Sequence, residues 1–267
     1  MPTVTRDGIE VDYLDEGAGP LVVLLHSSVS GNRQWRRLIA DLSPHYRCVA
    51  PNLLGYGHTS AWHNHRKQTL ADAAAVALAV CDLADGPVRL VGHSWGGAVA
   101  LSTAQALGQR VTHLALYEPM LIGLLAGHGR EVAMQEADEM YNLVRTHGDA
   151  GHWIALAQVF TDYFNGAGTW EASPADRQAA VASQLPPNRY EWDAGAPAIT
   201  TEQFKGIQAR TLIMRGAHTR LVLRETSELL VQAFPEWELR ELTGAGHMGP
   251  LTHGQQVNGY IEQWLST

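Results

Sequence analysis

Two cysteines in 267 residues are too few for a disulfide framework. Cys48 falls in an apolar strand-like run and Cys81 in an Ala-rich helix-like run, so both read as buried free thiols, the usage of a reducing cytoplasm. No apolar run reaches the roughly 18 uncharged residues of a membrane span. The most apolar stretch, 71–83, is short and carries Asp72 and Asp82, and Met1–Asp7 lacks the hydrophobic segment of a signal peptide. Basic residues are scarce. Nineteen Lys and Arg stand against 27 Asp and Glu, a net charge of −8, and the densest cluster, Arg33–Arg37, fits one helix face. A nucleic-acid partner needs a basic face and is not expected. There is no P-loop and no Cys/His cluster, so neither a nucleotide nor zinc is expected, and His63-Asn64-His65 reads as a polar loop rather than a metal pair. What remains is 45% hydrophobic and 17% charged, a globular composition at a length for one large domain or two small ones. The expectation is a cytoplasmic, cofactor-free monomer or homodimer that acts on a small molecule and has no membrane partner.

The apolar pattern alternates between strands and helices. Ile9–Leu14 alternates apolar and polar residues like a half-exposed strand, whereas Leu21–Leu25 is continuously apolar, like a strand covered on both faces. Asn32–Leu42 reads as a helix with Trp35, Leu38, Ile39 and Leu42 on one face, and Tyr46–Ala50 as a strand ended by Pro51. Asn52–Arg66 reads as loop, Gln68–Leu83 as helix, Val88–Val91 as strand, Gly96–Leu107 as helix and Val111–Tyr117 as strand. From 119 to 205 strand signal disappears. Glu131–Arg145, His152–Tyr163 and Pro174–Leu185 read as helices, and Pro186-Pro187 as a break. Strands resume at Thr211–Met214 and Glu238–Leu242, each followed by a helix, Leu223–Ala233 and Pro250–Leu265. This implies an α/β fold: a mostly parallel sheet with helices on both faces, interrupted by a helical insertion at 119–205. Ligands of such sheets bind at the carboxyl ends of the strands.

Gly92-His93-Ser94-Trp95-Gly96-Gly97 fits G-x-S-x-G between a strand and a helix. The sharp turn strains the serine backbone and demands small neighbours, and it lifts Ser94 Oγ to a helix N-terminus whose dipole favours an oxyanion. With His26-Ser27-Ser28 after the third strand, Pro51-Asn52-Leu53-Leu54-Gly55-Tyr56-Gly57 and the late Gly246-His247, the whole chain resembles the α/β-hydrolase fold superfamily. That resemblance implies an eight-stranded sheet, with 1–118 and 206–267 as the core and 119–205 as a helical cap inserted after the sixth strand. The resemblance implies that His247 is the base that activates Ser94. Many members carry the acid as G-x-x-D after the seventh strand, where this chain reads Gly216-Ala217-His218-Thr219. Threonine holds no charge. One branch of the haloalkane dehalogenases places its acid after the sixth strand, where Glu118 stands here, so Glu118 is the expected acid. Asp193, Glu225 and a bare Ser94–His247 dyad are the alternatives.

The resemblance further implies an oxyanion hole from the amides of Trp95 and Ser28, with Ser27 in place of the usual glycine. His26 is expected to brace that loop and Asn52 to keep a turn. Dehalogenases and most epoxide hydrolases of this fold attack carbon with Asp, which Ser94 cannot imitate. A serine points to acyl chemistry on esters, thioesters, lactones or diketone C–C bonds, and a small carboxylic ester or lactone is the leading expectation. Ser27, Met120, Leu121, Leu124, Trp153, Phe160, Tyr163 and Trp192 are candidate pocket walls, and would serve equally to pack the insertion on the core. Arg215 and Arg220 are candidates for a substrate carboxylate. A non-hydrolytic lyase or C–C bond-cleaving enzyme of the same fold, and a ligand-binding relative with a vestigial site, are the competing readings.

Overall fold

A computed structural model describes residues 1–63 and 65–267; Asn64, in the tripeptide weighed above as a metal pair, lies outside them. Eight strands run β1 (Thr3–Arg6), β2 (Ile9–Glu16), β3 (Leu21–Leu25), β4 (Arg47–Pro51), β5 (Val88–His93), β6 (Val111–Tyr117), β7 (Arg210–Gly216) and β8 (Glu238–Leu242). They lie side by side in the order β1-β2-β4-β3-β5-β6-β7-β8. The β1–β2 and β2–β4 pairs are antiparallel and every later pair is parallel. β1 is a four-residue edge strand paired only with β2, and Val4 is its one apolar residue.

Helices α1 (Arg36–Leu42), α2 (Leu70–Cys81), α3 (Trp95–Leu107), α10 (Leu221–Ala233), α11 (Gly249–Thr252) and α12 (Gly254–Leu265) follow strands or strand-end loops. Between β6 and β7 come α4 (Gly123–Ala126), α5 (Glu131–Asp149), α6 (Trp153–Asn165), α7 (Thr169–Ala172), α8 (Ala175–Ser183) and α9 (Pro186–Gly195). Pro186-Pro187 therefore begins a helix rather than breaking one, because a proline in the first helical turn gives up only an N–H that has no partner there. The helix expected over Pro250–Leu265 is divided at His253. Among the described residues no helix is long and apolar enough to cross a membrane.

The buried side chains separate by strand face. Leu21, Val23 and Leu25 of β3 join the cluster that takes in α2, α3 and the helices after β6, while Val22 and Leu24 join α1 and α12 on the other side. A period of two puts alternate residues on opposite faces, so a run of five apolar residues is what a strand covered on both sides requires. The parallel register aligns the carboxyl ends of the central strands. His93 sits opposite Tyr117, Tyr117 opposite Met214, and Gly216 opposite Leu242. The residues that leave β5, β6, β7 and β8 therefore emerge on one edge of the sheet.

Candidate active site

Ser94 follows β5 and precedes α3 with φ 55° and ψ −119°, in the left-handed half of the map that costs a side-chain-bearing residue energy. Its neighbours have no room for a Cβ. One on Gly92 would lie 2.5 Å from the Gly96 carbonyl oxygen, and one on Gly96 would lie 2.3 Å from that of Leu25. The turn is pinned where the Ser94 N–H donates to the Tyr117 carbonyl (2.9 Å) and the Ser94 carbonyl accepts from Met120 (3.0 Å).

His247 comes from the loop after β8. Its Nε2 lies 3.0 Å from Ser94 Oγ, and its Nδ1 lies 2.7 Å from Glu118 Oε2. Glu118 follows β6, has φ 44°, and is completely buried. Its carboxylate is enclosed by donors: Gly216 N–H gives to Oε1 and the Thr219 hydroxyl to Oε2, each at 2.7 Å. Thr219, at the position where relatives carry the acid, is thus a donor to the carboxylate that stands in another place. A carboxylate accepts only, so the Nδ1 of His247 bears the proton and the Nε2 facing Ser94 is free to accept one. The other acids weighed above are engaged elsewhere. Asp193 accepts from Arg145 (2.9 Å) and Tyr141 (2.9 Å), and Glu225 pairs with Arg130 (2.6 Å).

The loop after β3 is held from several directions. Ser27 N–H and Oγ–H both donate to Gln34 Oε1 (3.1 and 2.9 Å), and Val29 N–H donates to Tyr56 Oη (3.0 Å). The amide between them belongs to Ser28, which lines the same cavity as Ser94 and His247. His26 accepts from Leu53 N–H at Nε2 (3.0 Å) and therefore donates from Nδ1 to the Ser27 carbonyl (2.7 Å); burial lowers its pKa to about 4, so it stays neutral. Asn52 accepts from Asn32 N–H (2.9 Å) and donates to Asp12 (2.8 Å), a loop-holding position outside the cavity.

Sequence reasoning missed two braces. His93 Nε2 donates to the His247 carbonyl (2.9 Å), which leaves its Nδ1 to accept from Gln34 (3.2 Å). Burial, reinforced by nearby His247, holds the His93 pKa well below its ordinary value. Gln34 thus links the Ser27 loop to the His247 loop. The Tyr117 hydroxyl donates to the Gly246 carbonyl (2.7 Å) and holds the other side of that loop. None of this is visible in spacing, because the partners are 59 to 154 residues apart.

A cavity of about 150 Å³ lies between the strand ends and the helices after β6. Of the wall candidates, Ser27, Met120 and Phe160 line it. Leu121, Leu124, Trp153, Tyr163 and Trp192 do not. Leu121, Leu124 and Trp192 are buried in the core, Trp153 packs there, and Tyr163 donates to Glu136 (2.7 Å) beneath Arg220. Phe164, Trp170, Val181 and Leu251 supply apolar wall instead, with the Phe164 ring 4.8 Å from that of His247. Arg215 pairs with Glu228 and Glu241, and Arg220 with Glu136, so neither faces the cavity. Among the described residues, Arg177 of α8 is the arginine that lines it.

A family model described as "alpha/beta hydrolase fold" matches residues 20–254. Over 261 residues the chain is 28% identical to the 2-hydroxy-6-oxo-2,4-heptadienoate hydrolase of Pseudomonas putida, covering 97% of this chain and 92% of that one. It is 25% identical to the 2-hydroxy-6-oxo-6-(2'-aminophenyl)hexa-2,4-dienoic acid hydrolase of Metapseudomonas resinovorans, covering 98% and 90%. Its fold superposes on the enol-lactonase from Burkholderia xenovorans LB400 over 100% of both chains with a TM-score of 0.79, at 20% identity.

Proposed function

We propose that this chain, which belongs to the α/β-hydrolase fold family, is a cofactor-free serine hydrolase of a small carboxylic ester or lactone. The observation that carries the reading is the unbroken hydrogen-bond chain Ser94–His247–Glu118 at 3.0 and 2.7 Å beside a cavity. In this reading Ser94 Oγ attacks the carbonyl carbon as its proton passes to His247 Nε2. Glu118 holds the resulting imidazolium, and the amides of Trp95 and Ser28 receive the oxyanion. His247 returns the proton to the leaving alkoxide, and then takes one from the water that frees the acyl-enzyme. The segments 1–118 and 206–267 serve as the catalytic core and 119–205 as a cap whose inner faces select the substrate.

Hydrolysis of a C–C bond in a diketone acid is the second reading. It is favoured by the two full-length relatives named for dienoate and dienoic acid substrates, and by a cavity with a cation, Arg177, in its wall. A carbon leaving group needs the same proton from His247, so the machinery is common to both. The test is intact-mass labelling with a fluorophosphonate, followed by peptide mapping and turnover of matched ester, lactone and dienoate panels. A single adduct on Ser94, absent from Ser94→Ala, is expected. A folded protein that takes no label and turns over none of these compounds would refute the serine-hydrolase reading.

A further inference from the structure

Glu191 of α9 is a buried acid that the mechanism above does not use, and it is only 2% exposed. Its Oε2 accepts from Asn188 Nδ2 at 2.9 Å, and Asn188 is itself completely buried in the wall of the Ser94 cavity. Its Oε1 and Ser28 Oγ are both buried without a partner at hydrogen-bonding geometry, yet Ser28 is close enough to favour the ionised carboxyl. Tyr56 acts on it in the same sense. The Tyr56 oxygen already accepts the Val29 N–H, so its own proton is available to the carboxyl. Val29 needs the restraint, since it is β-branched and sits at φ 53°. One carboxylate oxygen is thus held by Asn188, while the other is buried without a partner near two hydroxyls, those of Ser28 and Tyr56, which belong to or grip the loop that carries the Ser28 amide.

We propose that Glu191 is a positioning residue: in its ionised form it ties residues 28–29 to the cap helix, and so presents the Ser28 amide to the substrate oxyanion. The inference rests on the serine-hydrolase reading. Protonation would put a donor beside the Asn188 amide and the Ser28 and Tyr56 hydroxyls, and would loosen the loop. Burial sets Glu191 near that transition at neutral pH, raising its pKa to about 7 against the pull of its three partners. Among the described residues no charged group acts on it. Asp193 on the same helix is bound by Arg145 and Arg189, and Asp149 of α5 by the same arginines. Asp72 of α2 is paired with Arg66. Burial raises Tyr56 well above its ordinary value, and His26, edge-on to Tyr56, is neutral.

The test is the pH profile of kcat/KM on one neutral ester, for the wild type, Glu191→Gln and Tyr56→Phe. Activity needs His247 unprotonated and Glu191 ionised, so the wild-type acid limb should steepen to a two-proton slope, and Glu191→Gln should leave a one-proton slope. Because the hole keeps its Trp95 amide, kcat should fall by roughly 10–100-fold in Glu191→Gln, with KM changed far less. Tyr56→Phe keeps the ring and the carboxyl, and should lower kcat by about tenfold; it serves as the arbiter if Glu191→Gln does not fold. A wild-type limb of slope one, or a kcat within twofold of wild type in either folded variant, overturns the proposal. Fluorophosphonate labelling of the wild type separates this failure from the broader one. Labelled Ser94 with indifferent variants sinks only the role of Glu191, whereas an unlabelled, inactive wild type sinks the serine-hydrolase reading and this inference with it.

Discussion

Replacing Glu118 by Gln changes one atom and reverses a proton. In the native site both carboxylate oxygens accept: Oε1 from Gly216 N–H, and Oε2 from Thr219 and from His247 Nδ1–H. A glutamine keeps its carbonyl oxygen where the Gly216 amide demands an acceptor, and its NH₂ then faces Thr219 and His247. The imidazole answers by accepting at Nδ1, which moves the proton to Nε2, where it faces Ser94 Oγ at 3.0 Å. In that tautomer His247 cannot take the serine proton, and the imidazolium of the transition state loses its counter-charge in a buried site. The analogous change in a well-studied triad costs about 10⁴ in kcat, or about 5 kcal/mol of barrier. The assay is kcat on an activated ester, with circular dichroism to show that the shape-conserving variant stays folded. A Glu118→Gln enzyme within tenfold of wild type, beside an inactive Asp193→Asn or Glu225→Gln, would refute this placement of the acid.

Thr219→Val removes one charge-assisted hydrogen bond from Glu118 without removing volume, and should lower kcat by roughly 10-fold on a bond of about 1.5 kcal/mol; steady-state kinetics read it. Gly96→Ala would press a methyl group to within 2.3 and 2.4 Å of the carbonyl oxygens of Leu25 and His26, and urea unfolding should show a loss of about 3 kcal/mol or more. His26 has its folded pKa lowered to about 4 from 6.5, so only the unfolded chain takes up its proton in that interval. Stability should accordingly be unaffected by this group above pH 6.5 and fall by up to about 3 kcal/mol as pH drops to 4. Urea midpoints across that range, with His26→Asn flattening the slope, check it. Arg177→Ala should lower turnover of a dienoate acid at least about tenfold more than that of a neutral ester if the cavity accepts a carboxylate; equal losses on both would remove Arg177 from substrate recognition.

The parts of the site that were legible in the sequence are those governed by local backbone demands. Gly92 and Gly96 are glycines because carbonyl oxygens occupy the space a Cβ would need, so the elbow declares itself within six residues. Glu118 was legible only through resemblance, since a glutamate at a strand end looks like any surface acid. What sets it apart is the Thr219 hydroxyl, 101 residues away, and that pairing has no local sign. Cavity walls were harder. Trp153 and Phe160 both lie on α6, but only Phe160 faces the cavity, and nothing in one helix's sequence says which neighbour each side meets.

The deepest omission lies in α9, and its cause is physical. An amphipathic helix shows itself by apolar residues that return every three or four positions on the buried face. In Pro186–Gly195 the buried face includes Asn188, Glu191 and Asp193; Asn188 donates to Glu191 within the helix, and Asp193 pairs with Arg145 of α5 and Arg189. Such a helix has no apolar period, and with Pro186-Pro187 at its head it reads as a break in the chain. Buried polar residues are tolerated only where partners converge on them. A stretch that looks like solvent-facing chain and yet lies in the interior therefore marks a place where several distant segments must meet in register. Here those segments are α9, the loop after β3 and the Tyr56 loop, and they meet at Ser28, whose amide is the expected oxyanion donor, against the wall of the Ser94 cavity.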